Sequence, residues 1–248
     1  MITIKSPEEI KIMAEAGKIL AGVLKEIEKM AKPGVTTLDL DRAAEELILK
    51  QGAKPAFKNY ASFPFSLCAS VNEIIVHGYP SDYVLKDGDV VGLDLGVLYK
   101  GYYSDMAITV SCGKVSYESK RLINVAKKAL KRGIKKVRPG NKIGDISNTI
   151  QRYVESQGFS AVRDLCGHGI GKELHEEPKI PNYGQRHKGE ELKEGMVICI
   201  EPMIIAGDWH LKKSADGYGY ATKDGSLSAH FEHTILVTKF GSKILTEI

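Results

Sequence analysis

Apolar residues recur at intervals of three and four positions in four stretches of the chain, a period typical of amphipathic helices. The first stretch opens with Ser6, Pro7 and Glu9, which form an N-terminal capping box with proline at the first helical position. It ends before the Pro-Gly pair at residues 33–34. The pattern predicts three further helices, over residues 37–51, over residues 117–137 and over a segment that ends at residue 157.

This pattern occurs twice along the chain. The matched segments are residues 32–34 with 138–140, 51–52 with 157–158, 85–94 with 192–201, and 105–110 with 232–237. Asp94 is therefore equivalent to Glu201, and Asp105 to Glu232. The second copy carries about 20 extra residues, near residues 206–225, whose Gly, Asp and Lys content predicts a long loop.

A repeat of only two copies predicts an α+β core with pseudo-two-fold symmetry rather than a solenoid. Each half is two helices followed by paired strands. The chain of 248 residues is 43% hydrophobic, which is enough for a large core. We therefore expect a single domain over residues 1–248, with halves near residues 1–112 and 113–248.

The charge balance is nearly even, with 35 basic and 31 acidic residues and a net charge of +4. Binding of nucleic acid needs clustered positive charge, so no specific nucleic acid is predicted as a partner. The lysine-rich face of the third helix is better interpreted as a solvated surface than as a docking patch.

Cysteine usage and hydropathy indicate the compartment. The four cysteines are Cys68, Cys112, Cys166 and Cys199, and no two of them form a C-x-x-C pair. The first residues show no apolar signal segment, and no run approaches the roughly 20 apolar residues that span a bilayer. These features predict a cytoplasmic protein that does not enter a membrane.

The carboxylates in the repeated strands suggest chemistry. Asp94 lies within an almost wholly apolar strand, where an unpaired charge is costly. A turn between Tyr99 and Lys100 would place it opposite Asp105, about 5 Å away. Two like charges so placed require a shared proton or a metal ion. The repeat supplies the second pair, and four carboxylates with one imidazole favour Mn, Fe, Co or Zn over Ca.

His168 is the candidate imidazole, because it stands between glycines in residues 165–171 (LCGHGIG). Glycines allow the backbone to pass close to a site. A lone histidine among glycines is commonly a turn residue with a backbone hydrogen bond. The four carboxylates favour a metal ligand instead.

Taken in order, several motifs make the chain resemble the type I methionine aminopeptidases in their short bacterial form. They are residues 70–78 (SVNEIIVHG), 92–105, 167–178 (GHGIGKELHEEP), 201–203 (EPM) and 227–234 (LSAHFEHT). The resemblance spans nearly the whole chain. It implies the α+β fold called pita-bread, with duplicated helix-helix-strand halves around a curved, mostly antiparallel sheet.

The resemblance also implies two divalent metal ions per chain, of Co, Mn, Fe or Zn. It makes Asp94 a ligand of one ion, His168 and Glu201 ligands of the other, and Asp105 and Glu232 bridging ligands. The implied reaction removes the N-terminal methionine of nascent polypeptides, prefers a small second residue, and uses a water activated by both ions. The implied enzyme is a monomer that meets its substrates at the ribosome.

The resemblance implies that the catalytic residues are His77, His175 and Glu201. His77 and His175 also have plain interpretations, as a histidine at a strand end and as a surface residue. The implied substrate-binding residues are Tyr60, Phe63, Cys68, His77, Leu174, His175 and Tyr218.

Four positions depart from the bacterial pattern. Phe57 stands where cysteine is common, Leu174 where phenylalanine is common, Tyr218 where tryptophan is common, and His230 where glutamine is common. These changes leave the shape of the methionine pocket open.

Two alternatives remain from the sequence. One is an Xaa-Pro peptidase of the same fold, and the other is a non-catalytic binding protein that kept the fold. The first typically carries a further N-terminal domain, and the second typically loses metal ligands.

Overall fold

The computed structural model describes residues 2–247, so Met1 and Ile248, the ends of the predicted single domain, lie outside the described residues. The helices are α1 (Pro7–Met30), α2 (Thr37–Lys50), α3 (Tyr117–Ile134) and α4 (Ile143–Ser156). The predicted capping box is present, because the Ser6 amide donates to Glu9 Oε2 over 2.8 Å and the Glu9 amide donates to Ser6 Oγ. Helix α3 ends three residues before the predicted boundary, where the Lys136 amide bonds to the Gly133 carbonyl in a tighter turn.

The paired strands of the two halves follow one scheme. The strands of the first half are β1 (Lys54–Pro55), β2 (Leu67–Val71), β3 (Ile74–Val76), β4 (Val90–Tyr99) and β5 (Tyr102–Ser111). In the first half, β4 lies between β5 and β2, and both pairings are antiparallel.

The second half repeats this order. Its strands are β6 (Ser160–Ala161), β7 (Cys166–Gly169), β8 (Glu176–Pro181), β9 (Val197–Ile200), β10 (Met203–Ile205), β11 (Leu211–Lys213), β12 (Tyr220–Thr222), β13 (Ser228–His230), β14 (His233–Thr238) and β15 (Gly241–Ile244). Here β9 lies between β14 and β7, again antiparallel. The predicted duplicated α+β architecture is confirmed.

The insertion near residues 206–225 is not a plain loop, and that prediction was wrong. It forms the hairpin β11–β12, and β12 then pairs antiparallel with β3 of the first half. Some of the Gly and Asp residues that suggested a loop lie in the hairpin turn, where Asp216 accepts hydrogen bonds from the amides of Tyr218 and Gly219. The others flank the hairpin near its two ends. The short strands between these turns carry too few residues to show a clear alternation.

Two threonines join the halves. The Thr234 hydroxyl donates to the Asp105 carbonyl over 2.8 Å and accepts from the Asp105 amide over 3.0 Å. Thr109 makes the same two bonds to the backbone of His230, at 2.7 and 2.9 Å. Between them, the Glu232 amide donates to the Ala107 carbonyl. Side-chain hydroxyls thus replace part of a strand ladder where β5 meets the second half.

Apolar packing follows the same division. One buried cluster lies beneath α1, α2 and β4, and another lies beneath α3, α4, β9 and β14. A third cluster joins residues of both halves, among them Met13, Phe57, Leu174 and Leu236. Within residues 2–247, no helix is long and apolar enough to cross a membrane.

Close backbone approach at β7 requires glycine at two positions. A Cβ atom on Gly167 would stand 2.3 Å from the carbonyl oxygen of Cys199 in β9. One on Gly169 would stand 2.2 Å from the carbonyl oxygen of Glu177 in β8. The glycines on both sides of His168 therefore set the spacing of this sheet.

We expect Gly167→Ala to lower the free energy of unfolding by roughly 1–3 kcal/mol, the usual cost of overpacking. Urea unfolding followed by circular dichroism measures the change. Gly22→Ala is the matched control, because its added Cβ meets no heavy atom within 4 Å in the middle of α1. That control should be stabilised by about 0.5–1 kcal/mol. An unchanged urea midpoint for Gly167→Ala would contradict the close approach.

Candidate metal centre

The first carboxylate pair is formed by the β4–β5 hairpin. Its two-residue turn is Lys100 and Gly101, both with positive φ, at 49° and 83°. This is the geometry of the favoured tight hairpin turns, and glycine adopts it without a Cβ clash. Tyr99 therefore pairs with Tyr102, which puts Asp94 opposite Ala107 rather than Asp105. The predicted turn position and direct pairing were wrong.

The error of two residues keeps both carboxylates on one face of the sheet, since side chains alternate with a period of two. Asp94 and Asp105 are diagonal neighbours, and Gly96 lies opposite Asp105. Both aspartates are buried. The structure thus brings the pair together as predicted, but through a diagonal contact.

The second pair stands where β9 ends and β14 begins. Ile200 pairs with His233, so the same register places Glu201 opposite Glu232. The threonine bond from Thr234 to Asp105 holds the beginning of β14 against β5. Both carboxylate pairs consequently converge on one point between the halves.

His168 completes the group from β7. Its Nδ1 lies 2.8 Å from the Gly169 carbonyl oxygen, which only accepts hydrogen bonds, so Nδ1 carries the proton. Its Nε2 then presents a lone pair to Asp105, Glu201 and Glu232, whose nearest oxygens lie at 4.0, 3.8 and 3.9 Å. This tautomer and orientation are typical of a metal-ligating histidine.

Several buried polar atoms of the group lack a hydrogen-bond partner among the described residues. They are Asp94 Oδ1, Asp105 Oδ1, Glu232 Oε1 and His230 Nε2. Burial, followed by mutual repulsion of the carboxylates, raises the pKa values of Asp94, Asp105 and Glu232 well above the usual range. Burial also raises the pKa of Glu201 to about 8. A divalent cation would satisfy the free atoms and offset the repulsion, so the residues present fit a metal site.

One cavity of about 180 Å³ opens onto this group. Every residue predicted as a metal ligand, catalytic group or pocket residue lines it. The lining residues are Phe57, Tyr60, Ala61, Phe63, Cys68, His77, Asp94, Asp105, His168, Leu174, His175, Glu201, Tyr218 and Glu232. The roles of these residues stay predictions, but their convergence is a property of the fold.

Sequence reasoning gave no role at this place to two residues: Ala61, and His230, which it noted only as a departure from the bacterial pattern. Ala61 lines the cavity from a loop in a left-handed conformation (φ 45°), and nothing in the sequence marked it. His230 lies against the carboxylate group, with its Nε2 3.4 Å from Glu201 Oε2. Its position two residues before Glu232 was the available signal, although β13 ends at His230 and Glu232 lies just before β14.

The two histidines predicted to be catalytic, His77 and His175, line the cavity beside the carboxylate group. His77 directly follows β3 and has a positive φ of 57°, a conformation uncommon outside glycine and frequent at functional sites. Desolvation by the surrounding protein lowers the pKa of the His77 imidazole, and the nearby His230 and His175 add to this effect. The residue is nevertheless exposed on the side that faces the cavity. His175 Nδ1 lies 2.8 Å from the Tyr60 hydroxyl, and its ring lies 4.4 Å from the His168 ring.

Aromatic and sulfur-containing side chains form the other wall. Phe63 packs edge-on to Tyr218 at 6.0 Å between ring centroids, and the Tyr218 hydroxyl donates to the Ser62 carbonyl over 3.0 Å. The hairpin insertion therefore places Tyr218 over the cavity. Cys68 lies opposite Asp94 on β2, and burial raises its thiol pKa well above the usual value, so it acts as a small apolar surface.

A duplicated α+β fold whose paired strands bring four carboxylates and an imidazole to one cavity defines the pita-bread class of metallopeptidases. The model of metallopeptidase family M24 matches residues 11–239. Methionine aminopeptidase 1 of Bacillus subtilis is 48% identical over 248 residues, which cover 100% of both chains. The crystal structure of methionine aminopeptidase from Thermotoga maritima is similar with a TM-score of 0.99 and 46% identity, over 100% of both chains. The chain therefore belongs to metallopeptidase family M24, among its methionine aminopeptidases.

Prolidase from Pyrococcus furiosus is a more distant structural relative. It shows a TM-score of 0.81 and 27% identity, and the match covers 99% of this chain and 65% of that one. The resemblance and the fold class that the sequence predicted are both confirmed.

We expect the metal-free protein to lose stability as the pH rises from about 7 to about 8. Carboxyl groups with a folded-state pKa above the unfolded value stabilise the fold at low pH, and this stability is lost as the pH rises through the folded-state pKa, about 8 for Glu201. Histidines with lowered pKa values, such as His168, are largely neutral in both states in this range.

Urea unfolding of the chelated protein at the two pH values tests this expectation. Glu201→Gln removes one titrating group and should show a smaller pH dependence. If the metal-free protein is equally stable at both pH values, these carboxyl groups are not held protonated in the folded state.

Proposed function

We propose that the chain removes the N-terminal methionine from newly made polypeptides and prefers a small second residue. One observation carries this proposal: the carboxylate group, two further histidines and an apolar, polarisable wall line a single small cavity. That cavity is smaller than the roughly 300–1,000 Å³ of sites for drug-sized ligands, which favours one terminal side chain as its occupant.

The proposed metal ligands divide into two sets with shared members. Asp94, Asp105 and Glu232 place ligand atoms within 4.8 Å of one another. His168 Nε2 lies within 4.0 Å of oxygens on Asp105, Glu201 and Glu232. Asp105 and Glu232 belong to both sets, which supports their assignment as bridging ligands of two ions.

The oxygen-rich donor set with an imidazole suits Mn, Fe, Co or Zn. Ions held there supply the Lewis-acid charge that lowers the pKa of water and provides a nucleophile near neutral pH. Glu201 lines the cavity beside the other proposed ligands and is the proposed proton acceptor.

The two histidines at the cavity mouth are proposed to act on the scissile peptide group. His175 has its Nδ1 engaged with Tyr60, which leaves Nε2 to stabilise charge on the peptide carbonyl oxygen. His77 is proposed to hydrogen-bond the peptide nitrogen, and its strained backbone fixes its position.

The proposed side-chain pocket consists of Tyr60, Phe63, Cys68, Leu174 and Tyr218. A thioether is flexible and polarisable, and it gains from contacts with aromatic rings. Phe57 adds a further ring at the position where the bacterial pattern has cysteine, so we expect a tighter pocket on that side.

The substrates are proposed to be new chains in the cytoplasm as they leave the ribosome, with the enzyme acting as a monomer. The four cysteines are free in the part of the chain that the structure describes, and this fits a reducing compartment.

The alternative Xaa-Pro peptidase draws support from the prolidase likeness, but the identity is 27% against 48% for the methionine aminopeptidase of Bacillus subtilis. The alternative of a non-catalytic relative has less support, because all five proposed ligands are present and converge.

The purified protein, freed of metal and reloaded separately with Mn, Fe, Co or Zn, should release methionine from Met-Gly-led peptides. Ala-Pro peptides should be cleaved much more slowly, because the alanine side chain is too short to fill the methionine pocket and proline leaves no hydrogen on the scissile peptide nitrogen. N-acetylated Met-Gly peptides are the control for N-terminal specificity, and chromatography of the products measures all three. Equal cleavage of the acetylated peptide would refute an aminopeptidase, and faster cleavage of Ala-Pro would favour the alternative.

His175→Ala should lower kcat by roughly a hundredfold or more, the scale for loss of one group that stabilises developing charge. Metal content should stay unchanged, because His175 is not among the proposed ligands. Elemental analysis and steady-state kinetics measure both quantities. His187→Ala, at an exposed histidine outside the cavity, should leave both unaltered. Loss of metal from His175→Ala would show that His175 is a ligand.

A further inference from the structure

His230 is the last residue of β13, and its side chain faces the carboxylates of Glu201 and Glu232. Only 3% of the residue is exposed, and Nε2 has no hydrogen-bond partner among the described residues. Buried polar atoms in native proteins are nearly always paired, so a free imidazole nitrogen in this place needs an explanation.

The backbone that carries the ring is fixed from two sides. The backbone of His230 makes both of its bonds to the Thr109 hydroxyl, at 2.7 and 2.9 Å, which ties it to β5. On the other side, His230 pairs with Met203 in the ladder between β13 and β10. The backbone of His230 is therefore anchored beside the carboxylate group by bonds that need no ligand.

The two glutamates stand between two imidazoles. Glu201 and Glu232 turn their Oε1 atoms toward His168 Nε2, at 3.8 and 3.9 Å. They turn their Oε2 atoms toward His230 Nε2, at 3.4 and 3.9 Å. Each carboxylate thus offers one oxygen to each histidine.

These separations suit a shared cation better than direct hydrogen bonds. An N–H···O bond usually spans about 2.7–3.2 Å, which is shorter than either distance from His230. Two ligand atoms on one metal ion, each about 2.1 Å from it, lie at most about 4.2 Å apart. The nitrogen meets this limit with both oxygens, at 3.4 and 3.9 Å, and one ligand atom each from Glu201, His230 and Glu232 lie within 4.8 Å of one another.

We propose that His230 is a further metal ligand, which gives the centre a second imidazole through Nε2 on the ion that Glu201 and Glu232 hold. This inference rests on the proposed metal centre and adds a donor to it. A second nitrogen ligand shifts the preference of the site toward Zn, Co and Cu and away from Mn. A role as a positioning residue, in which Nε2–H only orients Glu201, is the competing explanation.

Pulsed electron paramagnetic resonance with bound Cu²⁺ counts coordinated imidazoles, because the remote ring nitrogen of each one modulates the spin echo. We expect two imidazoles in the unaltered protein, one in His168→Gln and one in His230→Gln. His233→Gln is the matched control, since His233 lies in the same segment but bonds to Thr246 on the other face. It should retain two.

The outcomes separate the two proposals. One imidazole in the unaltered protein, lost in His168→Gln and kept in His230→Gln, would overturn the role of His230 and leave the metal centre intact. Signals that neither substitution alters would overturn the metal centre itself.

Calorimetric titration with Co²⁺ gives an independent measure. Loss of an outer hydrogen-bonding partner commonly weakens metal binding about 10–100-fold, so His230→Gln should exceed about a hundredfold if a ligand is lost. His230→Asn serves as a second variant, and circular dichroism shows that each variant is folded. A loss within about a hundredfold in both folded variants would support the positioning role and overturn the proposal.

Discussion

Repulsion among four buried carboxylates is the constraint on which this structure depends. Asp94, Asp105, Glu201 and Glu232 cannot all be ionised at one point in the protein interior without a compensating cation. The fold nevertheless holds them there, because the β4–β5 hairpin supplies one pair and the antiparallel strands β9 and β14 supply the other. Two threonine hydroxyls, at positions 109 and 234, join the halves. The apolar clusters on either side stabilise an arrangement that the charges alone would disrupt.

Much of this could be predicted from the sequence, because the repeat places acidic residues at equivalent positions in two buried strands. Helix bounds followed from caps and glycine ends. The hairpin register did not, since the choice between neighbouring two-residue turns depends on where positive φ is tolerated, and Gly101 decides it. The predicted register was wrong by two residues, which is an even number, so the prediction still placed Asp94 and Asp105 on the same face of the sheet.

Other features arise from contacts between distant parts of the chain. The insertion became a hairpin because β3, more than 130 residues earlier, offers it an edge. His77 and His175 look locally like a strand-end and a surface histidine, and only the resemblance indicated a role. His230 could have been found from its spacing to Glu232, but the sequence cannot show that its ring nitrogen is left unpaired.

The proposed ligands extend from residue 94 to residue 232 and come from both halves. The last of them, Glu232, directly precedes β14. A zinc finger gathers its ligands within one short segment and can take up metal as that segment emerges. On the proposed assignment, the metal site needs residues of both halves and forms only when the two halves have docked. A chain in which only one half has folded therefore lacks the complete site.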